Sequence, residues 1–194
     1  MANKNSNQQN LYIEHMVTKI MIKTNAACKD CPYRIYAKDD EVVTLGVGNI
    51  NSDFIFILPT YDIKAKIGYD TVLSMLALWY EQTYGKNIFD DIYITRLVKC
   101  SKNTGHDLYQ SCIQPCSTFL AYELNKLGAR TVVFFGSAYD DYIARADTVG
   151  HVIPKKNIFK SYSPSVLYYK KPDIIKKFYN NINSILNPDY HDII

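Results

Sequence analysis

Four cysteines stand where thiolates could converge on a metal. Cys28-Lys29-Asp30-Cys31 is a C-x2-C pair, Cys100 follows an apolar run, and Cys116 lies fifteen intervening residues further on. Thiolates are soft anionic ligands, and four of them gathered at one point hold either a zinc ion or a 4Fe-4S cluster. Spacing alone fits both. The fifth cysteine, Cys112, reads as a buried or free thiol able to compete with Cys116 for the fourth position. In a reducing compartment such cysteines serve as ligands or free thiols more readily than as disulfides.

The elements that would carry these thiols are legible from hydrophobic pattern. Phe54-Ile55-Phe56-Ile57-Leu58, bounded by Asn51-Ser52-Asp53 and Pro59, has the continuous apolar run of a parallel strand buried on both faces. Further strands are predicted at residues 92–95, 131–135 (ending at Gly136) and 157–162. Helices are predicted over residues 11–21, 71–84, 111–127 (stopped by Gly128), 138–146 and 172–186, the last with Pro172 suited to its first turn. Strands separated by helices imply an α/β fold, a three-layer αβα arrangement around a central, mostly parallel four-stranded sheet. Residues 1–10 read as a disordered tail and 11–194 as a single domain. Ligands of such sheets bind at the carboxyl ends of the strands, which singles out the loops after Leu58, Thr95, Gly136 and Tyr162.

Composition narrows the class. Hydrophobic residues make up 47% of the 194 and charged ones 21%, the balance of a folded globular protein. No stretch is long and apolar enough to span a membrane, and the polar start MANKNSNQQN lacks a secretion signal, so a cytoplasmic protein with no membrane partner is expected. The net charge of +3 is unevenly spread. Lys155, Lys156, Lys160, Lys170, Lys171, Lys176 and Lys177 face a single acid, Asp173, within residues 151–177. A solvated lysine-rich face and a phosphate-tracking face account for this equally well.

Longer motifs carry a resemblance. Residues 92–100, Ile-Tyr-Ile-Thr-Arg-Leu-Val-Lys-Cys, resemble a "vyitNvvKC" segment, and Cys116-Ser117-Thr118-Phe119-Leu120 resembles a "C-x-P-F/Y-L" segment opening a helix before a strand that ends in Gly. Gly46-Val47-Gly48-Asn49 followed by residues 52–58 is similar to "GEGN…a-imfvG". These segments, in this order, resemble the cluster-bearing branch of the uracil-DNA glycosylase superfamily, from Cys28 to Leu186. The resemblance implies a 4Fe-4S cluster, with zinc as the alternative, held by Cys28, Cys31, Cys100 and Cys116. Such a cluster would be structural.

The same resemblance exposes departures at the reacting positions. Cleaving a uracil–deoxyribose bond needs groups that stabilise an oxocarbenium-like sugar and a uracil anion, and a pocket for the flipped base. The family's Gly-Glu-Ala/Gly-Pro-Gly turn falls on Leu58-Pro59-Thr60-Tyr61-Asp62, which puts Pro59 where the carboxylate belongs. Asp62 is the nearest acid and a weak catalytic candidate, since loop aspartates are commonly turn formers. The family's stacking Phe falls near Lys66, leaving Tyr61 or Tyr69 as substitutes. Arg96 takes the place of the Asn that reads uracil. A carboxamide both donates and accepts, whereas a guanidinium only donates, so Arg96 suits a phosphate, a carboxylate, a guanine edge or a structural ion pair.

Ser161-Tyr162-Ser163-Pro164-Ser165-Val166-Leu167 resembles "T-Y-H-P-S" with Ser163 for His. Serine is a shorter, neutral donor and a second weak catalytic candidate. The resemblance further implies backbone contacts from this loop, including Ser165, and a wedge at Leu167, flanked by Lys170 and Lys171. An ordinary Ser-Pro turn with a core leucine is the competing account. The expectation is therefore a DNA-binding protein of replication or repair, with possible protein partners in those processes, without normal uracil excision. An active DNA glycosylase with altered specificity, or a zinc-binding adaptor, are the alternatives.

Overall fold

The computed structural model describes residues 19–21, 26–35, 42–60, 71–99, 106–149, 156–169 and 171–187. The predicted tail, residues 11–18 of the first predicted helix, and Tyr61, Asp62, Lys66, Tyr69, Cys100 and Lys170 lie outside them.

The elements run β1 (Lys19–Met21), β2 (Val42–Thr44), β3 (Val47–Gly48), β4 (Phe54–Leu58), α1 (Thr71–Tyr84), α2 (Ile88–Asp91), β5 (Tyr93–Arg96), α3 (His106–Lys126), β6 (Thr131–Phe135), α4 (Ala138–Val149), β7 (Asn157–Ser161), α5 (Val166–Tyr169) and α6 (Pro172–Leu186). Short 3-10 turns at Ala26–Cys28 and Pro32–Ile35 flank the C-x2-C pair.

The central sheet has five strands rather than the expected four, in the order β3-β5-β4-β6-β7. The four predicted strands are its parallel part, with Ile55 opposite both Tyr93 and Val132 and Val133 opposite Phe159. The extra strand, β3, comes from the Gly46-Val47-Gly48 segment and pairs antiparallel with β5, Val47 opposite Ile94. Two residues are too few to show a period, so only the pairing makes this a strand. Lys19–Met21 is likewise strand, not helix: it pairs antiparallel with β2 in a separate two-stranded sheet, Ile20 opposite Val43.

Both faces of β4, β5 and β6 are covered, which is why these strands are largely apolar without alternation, whereas β7, at the edge of the sheet, is exposed from Asn157 to Lys160. Ile55, Ile57, Val132 and Phe134 pack with α3, α4 and the cysteines on one face. Phe56, Leu58, Ile94, Val133 and Phe135 pack with α1 and α6 on the other, where Phe178 and Trp79 meet edge to face, ring centroids 5.1 Å apart.

Helix α3 starts five residues before the predicted start at residue 111, so Cys116 lies in the middle of a helix and does not open one. Its first turn is held by α4: Tyr109 donates to Asp141 Oδ2 at 2.9 Å and Gln110 to Asp141 Oδ1 at 2.9 Å. Pro115 sits inside this helix, next to Cys116.

Candidate functional site: a buried thiol cluster and the carboxyl end of the sheet

Cys28, Cys31, Cys112 and Cys116 are all buried, all reduced, and all members of one core cluster beneath the sheet. The 3-10 turns bring the first two; α3 brings the others, four residues and hence one turn apart on one face. Cys31 Sγ and Cys112 Sγ lie 3.5 Å apart. Burial, then neighbouring Cys116, pushes the Cys28 thiol up to about 11, against an opposing pull from Arg34. Cys31 is raised as well, first by its hydrogen bond with Cys112 and then by burial. In the absence of a metal these thiols hold their protons, and a bound metal would have to displace them.

Three of the four expected ligands are thus together; Cys100, outside the described residues, follows the buried Lys99 directly. The sequence left Cys112 ambiguous, and its position against Cys31 is visible only once α3 packs on the 3-10 turns. Among the described residues, no group of three or more His, Cys, Asp or Glu side chains is arranged to hold a metal ion. By residue type alone, thiols are donors for a soft metal or an iron–sulfur cluster, but the four described here are not placed as a ligand set.

Beside the thiols lies a buried ion pair that sequence reading did not anticipate. Lys99 is 1% exposed and its Nζ donates to Glu123 Oε2 and to Thr95 Oγ1. The Glu123 carboxylate also accepts from Gly46 N–H at 2.6 Å, Tyr93 OH at 2.8 Å and Thr95 Oγ1 at 2.9 Å. A Cβ on Gly46 would lie 2.5 Å from the Tyr93 ring, so only glycine brings that N–H so close. Burial lowers the Lys99 pKa from its ordinary value; Glu123 chiefly opposes the fall, and Cys116 also favours the ammonium. Burial, reinforced by Glu123, raises Tyr93. The network ties β3, β5 and α3 to the segment leading into Cys100.

The altered loops gather at the carboxyl end of the parallel strands. Leu97 N–H donates to Leu58 O at 2.8 Å and Val98 N–H to Pro59 O at 3.0 Å, so the chain leaving β5 runs alongside the start of the Pro59 loop. Arg96 closes β5 opposite Leu58 and is buried. Gly136 follows β6 with φ 60°, and a Cβ there would lie 3.2 Å from Ser163 Cβ. Ser163 Oγ lies 2.8 Å from Ser165 Oγ and accepts from Ser165 N–H at 3.3 Å; its carbonyl accepts from Val166 N–H at 3.0 Å. These bonds build the turn that starts α5. Ser161, at the end of β7, is buried with no hydrogen-bond partner for its hydroxyl among the described residues. Leu167 is half-buried and packs against the Phe135–Phe178 cluster, whereas Lys171 is exposed.

Residues 64–187 match the family model described as Uracil DNA glycosylase superfamily. The chain belongs to that superfamily. The match runs from before α1 to the end of α6, taking in Arg96, Cys100, Cys116 and the Ser163 loop, and begins after the C-x2-C pair and the Pro59 turn. The five-stranded sheet between helices is the architecture this membership implies. No curated protein matches the chain. Superfamily membership gives the protein a DNA-interacting, glycosylase-like role. No described helix is long and apolar enough to cross a membrane.

Proposed function

We propose that this protein is an iron–sulfur member of the superfamily that binds DNA in replication or repair without normal uracil excision. The observation that carries the reading is the state of the Ser163 loop. The hydroxyl standing at the family's histidine position is engaged in its own turn, with Ser165 Oγ at 2.8 Å and Ser165 N–H at 3.3 Å. A group occupied in this way, shorter than histidine and neutral, offers little to a departing uracil anion. Arg96, at the family's Asn position, has no acceptor for uracil N3–H. In the sequence, Asp62 is the acid nearest the Pro59 turn. Tyr61, Arg96, Ser163, Ser165, Lys170 and Lys171 are the residues we assign to the DNA-facing side, while Leu167, expected there as a wedge, packs against the core instead.

Cys28, Cys31, Cys100 and Cys116 would hold the cluster, and the burial of three of them together with Cys112 supports this assignment. Its chemistry when bound is structural cross-linking of the N-terminal turns to α3 and the segment after β5, and zinc is the competing occupant. The decisive experiment pairs two measurements on anaerobically purified protein. Iron, acid-labile sulfide and zinc are assayed first; uracil-containing single- and double-stranded DNA is then incubated with the protein, and binding and abasic product are both scored. Iron with sulfide, DNA binding and no abasic sites are expected. Abasic product would overturn the loss of excision in favour of an active glycosylase, and stoichiometric zinc would overturn the cluster.

A further inference from the structure

Helix α5 is a single turn with two unlike sides. Val166 and Leu167 pack against the core cluster that contains Phe135 and Phe178. The next two residues point away: Tyr168 is 65% exposed and Tyr169 68%, with ring centroids 5.5 Å apart at 89°. At the other end of the Ser163 loop Tyr162 is 44% exposed. Isolated exposed aromatics are commonplace, but Tyr168 and Tyr169 are in ring contact with each other and both project from the turn that follows β7. The chain that follows is cationic. Lys171, Lys176 and Lys177 are exposed, and Asp173 is the only acid among the described residues from Lys156 to Asn187. Lys160, by contrast, is held by Asp140 at 2.6 Å.

We infer that Tyr168 and Tyr169 are a stacking platform for unpaired bases, which makes a single strand, not a duplex, the preferred DNA of this face. The inference rests on the DNA-binding reading above and specifies the form of DNA. An aromatic ring meets the flat side of a base only where that base is unpaired or extruded, because in a duplex the flat sides are covered by neighbouring pairs. A wedge entering a duplex needs an outward apolar side chain, and Leu167 is instead engaged with the core. Lysines flanking exposed rings supply the backbone attraction that single-strand grooves combine with stacking.

The test measures the affinity of the full-length protein for a labelled oligo-dT single strand and for a duplex of equal length, by fluorescence anisotropy at constant salt. The wild type should bind the single strand more tightly. The double variant Y168A/Y169A should weaken single-strand binding by at least about 10-fold, with duplex binding changed less than about 2-fold. Y168F/Y169F should retain the wild-type affinity, since the ring and not the hydroxyl stacks. Circular dichroism confirms that these surface variants fold. A wild type that binds neither DNA overturns the DNA reading itself. A wild type that binds DNA while Y168A/Y169A behaves like it, or loses both forms equally, overturns the platform alone.

Discussion

Replacing Glu123 with alanine leaves the Lys99 ammonium buried without its counter-ion, and the structure sets the scale of the damage. Breaking a buried pair from one side typically costs about 3–5 kcal/mol. Gly46 N–H and Tyr93 OH, now 2.6 and 2.8 Å from the carboxylate, also lose their acceptor, which moves the expected loss toward the upper end of that range. Against a total stability of about 5–15 kcal/mol this is a large fraction. Lys99→Met should be milder, because Glu123 keeps Gly46, Tyr93 and Thr95 as donors. The double variant K99M/E123A should recover part of the loss, giving a coupling of about 2 kcal/mol or more in a double-mutant cycle. The pH dependence has a definite sign. Lys99 titrates below its ordinary value in the folded protein, and lower still without Glu123. Between that folded value and about 10.4 the unfolded chain binds the extra proton, so stability rises with pH there. The deficit of E123A relative to wild type should therefore narrow as pH rises through the values at which Lys99 titrates in the two folded proteins. Urea denaturation followed by tryptophan fluorescence from Trp79 reads both quantities. A loss below about 1 kcal/mol, an additive double variant or a deficit that widens at high pH would refute the reasoning.

Two further outcomes follow from single positions. Gly136→Ala places a side chain at φ 60° and 3.2 Å from Ser163 Cβ, so it should destabilise by about 1–2 kcal/mol and disturb the Ser163 turn; thermal unfolding unchanged within error would contradict this. In metal-free protein the folded state keeps the Cys28 proton up to about 11 while the unfolded chain releases it near 9. The stabilisation is complete below pH 9 and fades as pH rises toward 11, by at most about 3 kcal/mol. The stability advantage of wild type over Cys28→Ser, both metal-free, should accordingly shrink between pH 8 and pH 10.5, and a constant advantage in guanidinium melts would count against the burial of this thiol.

The sequence by itself determined the parallel strands and the helices Thr71–Tyr84 and Pro172–Leu186, because unbroken apolar runs and 3.6-residue periods are local properties of a chain. It also set apart the C-x2-C pair and Cys116, and the substitutions at Pro59, Arg96 and Ser163, because residue type is enough to say what an atom can donate or accept. Tertiary structure alone decided the rest. Strand β3 is two residues long and exists through its pairing with β5; Lys19–Met21 is extended because β2 lies beside it. The early start of α3 rests on Asp141, in another helix, and the meeting of Cys112 with Cys31 spans 81 positions. Lys99 and Glu123 each look like ordinary surface charges in the sequence. They become a buried pair only when α3 crosses β5, since partners brought together by packing leave no periodic trace in the segments they come from.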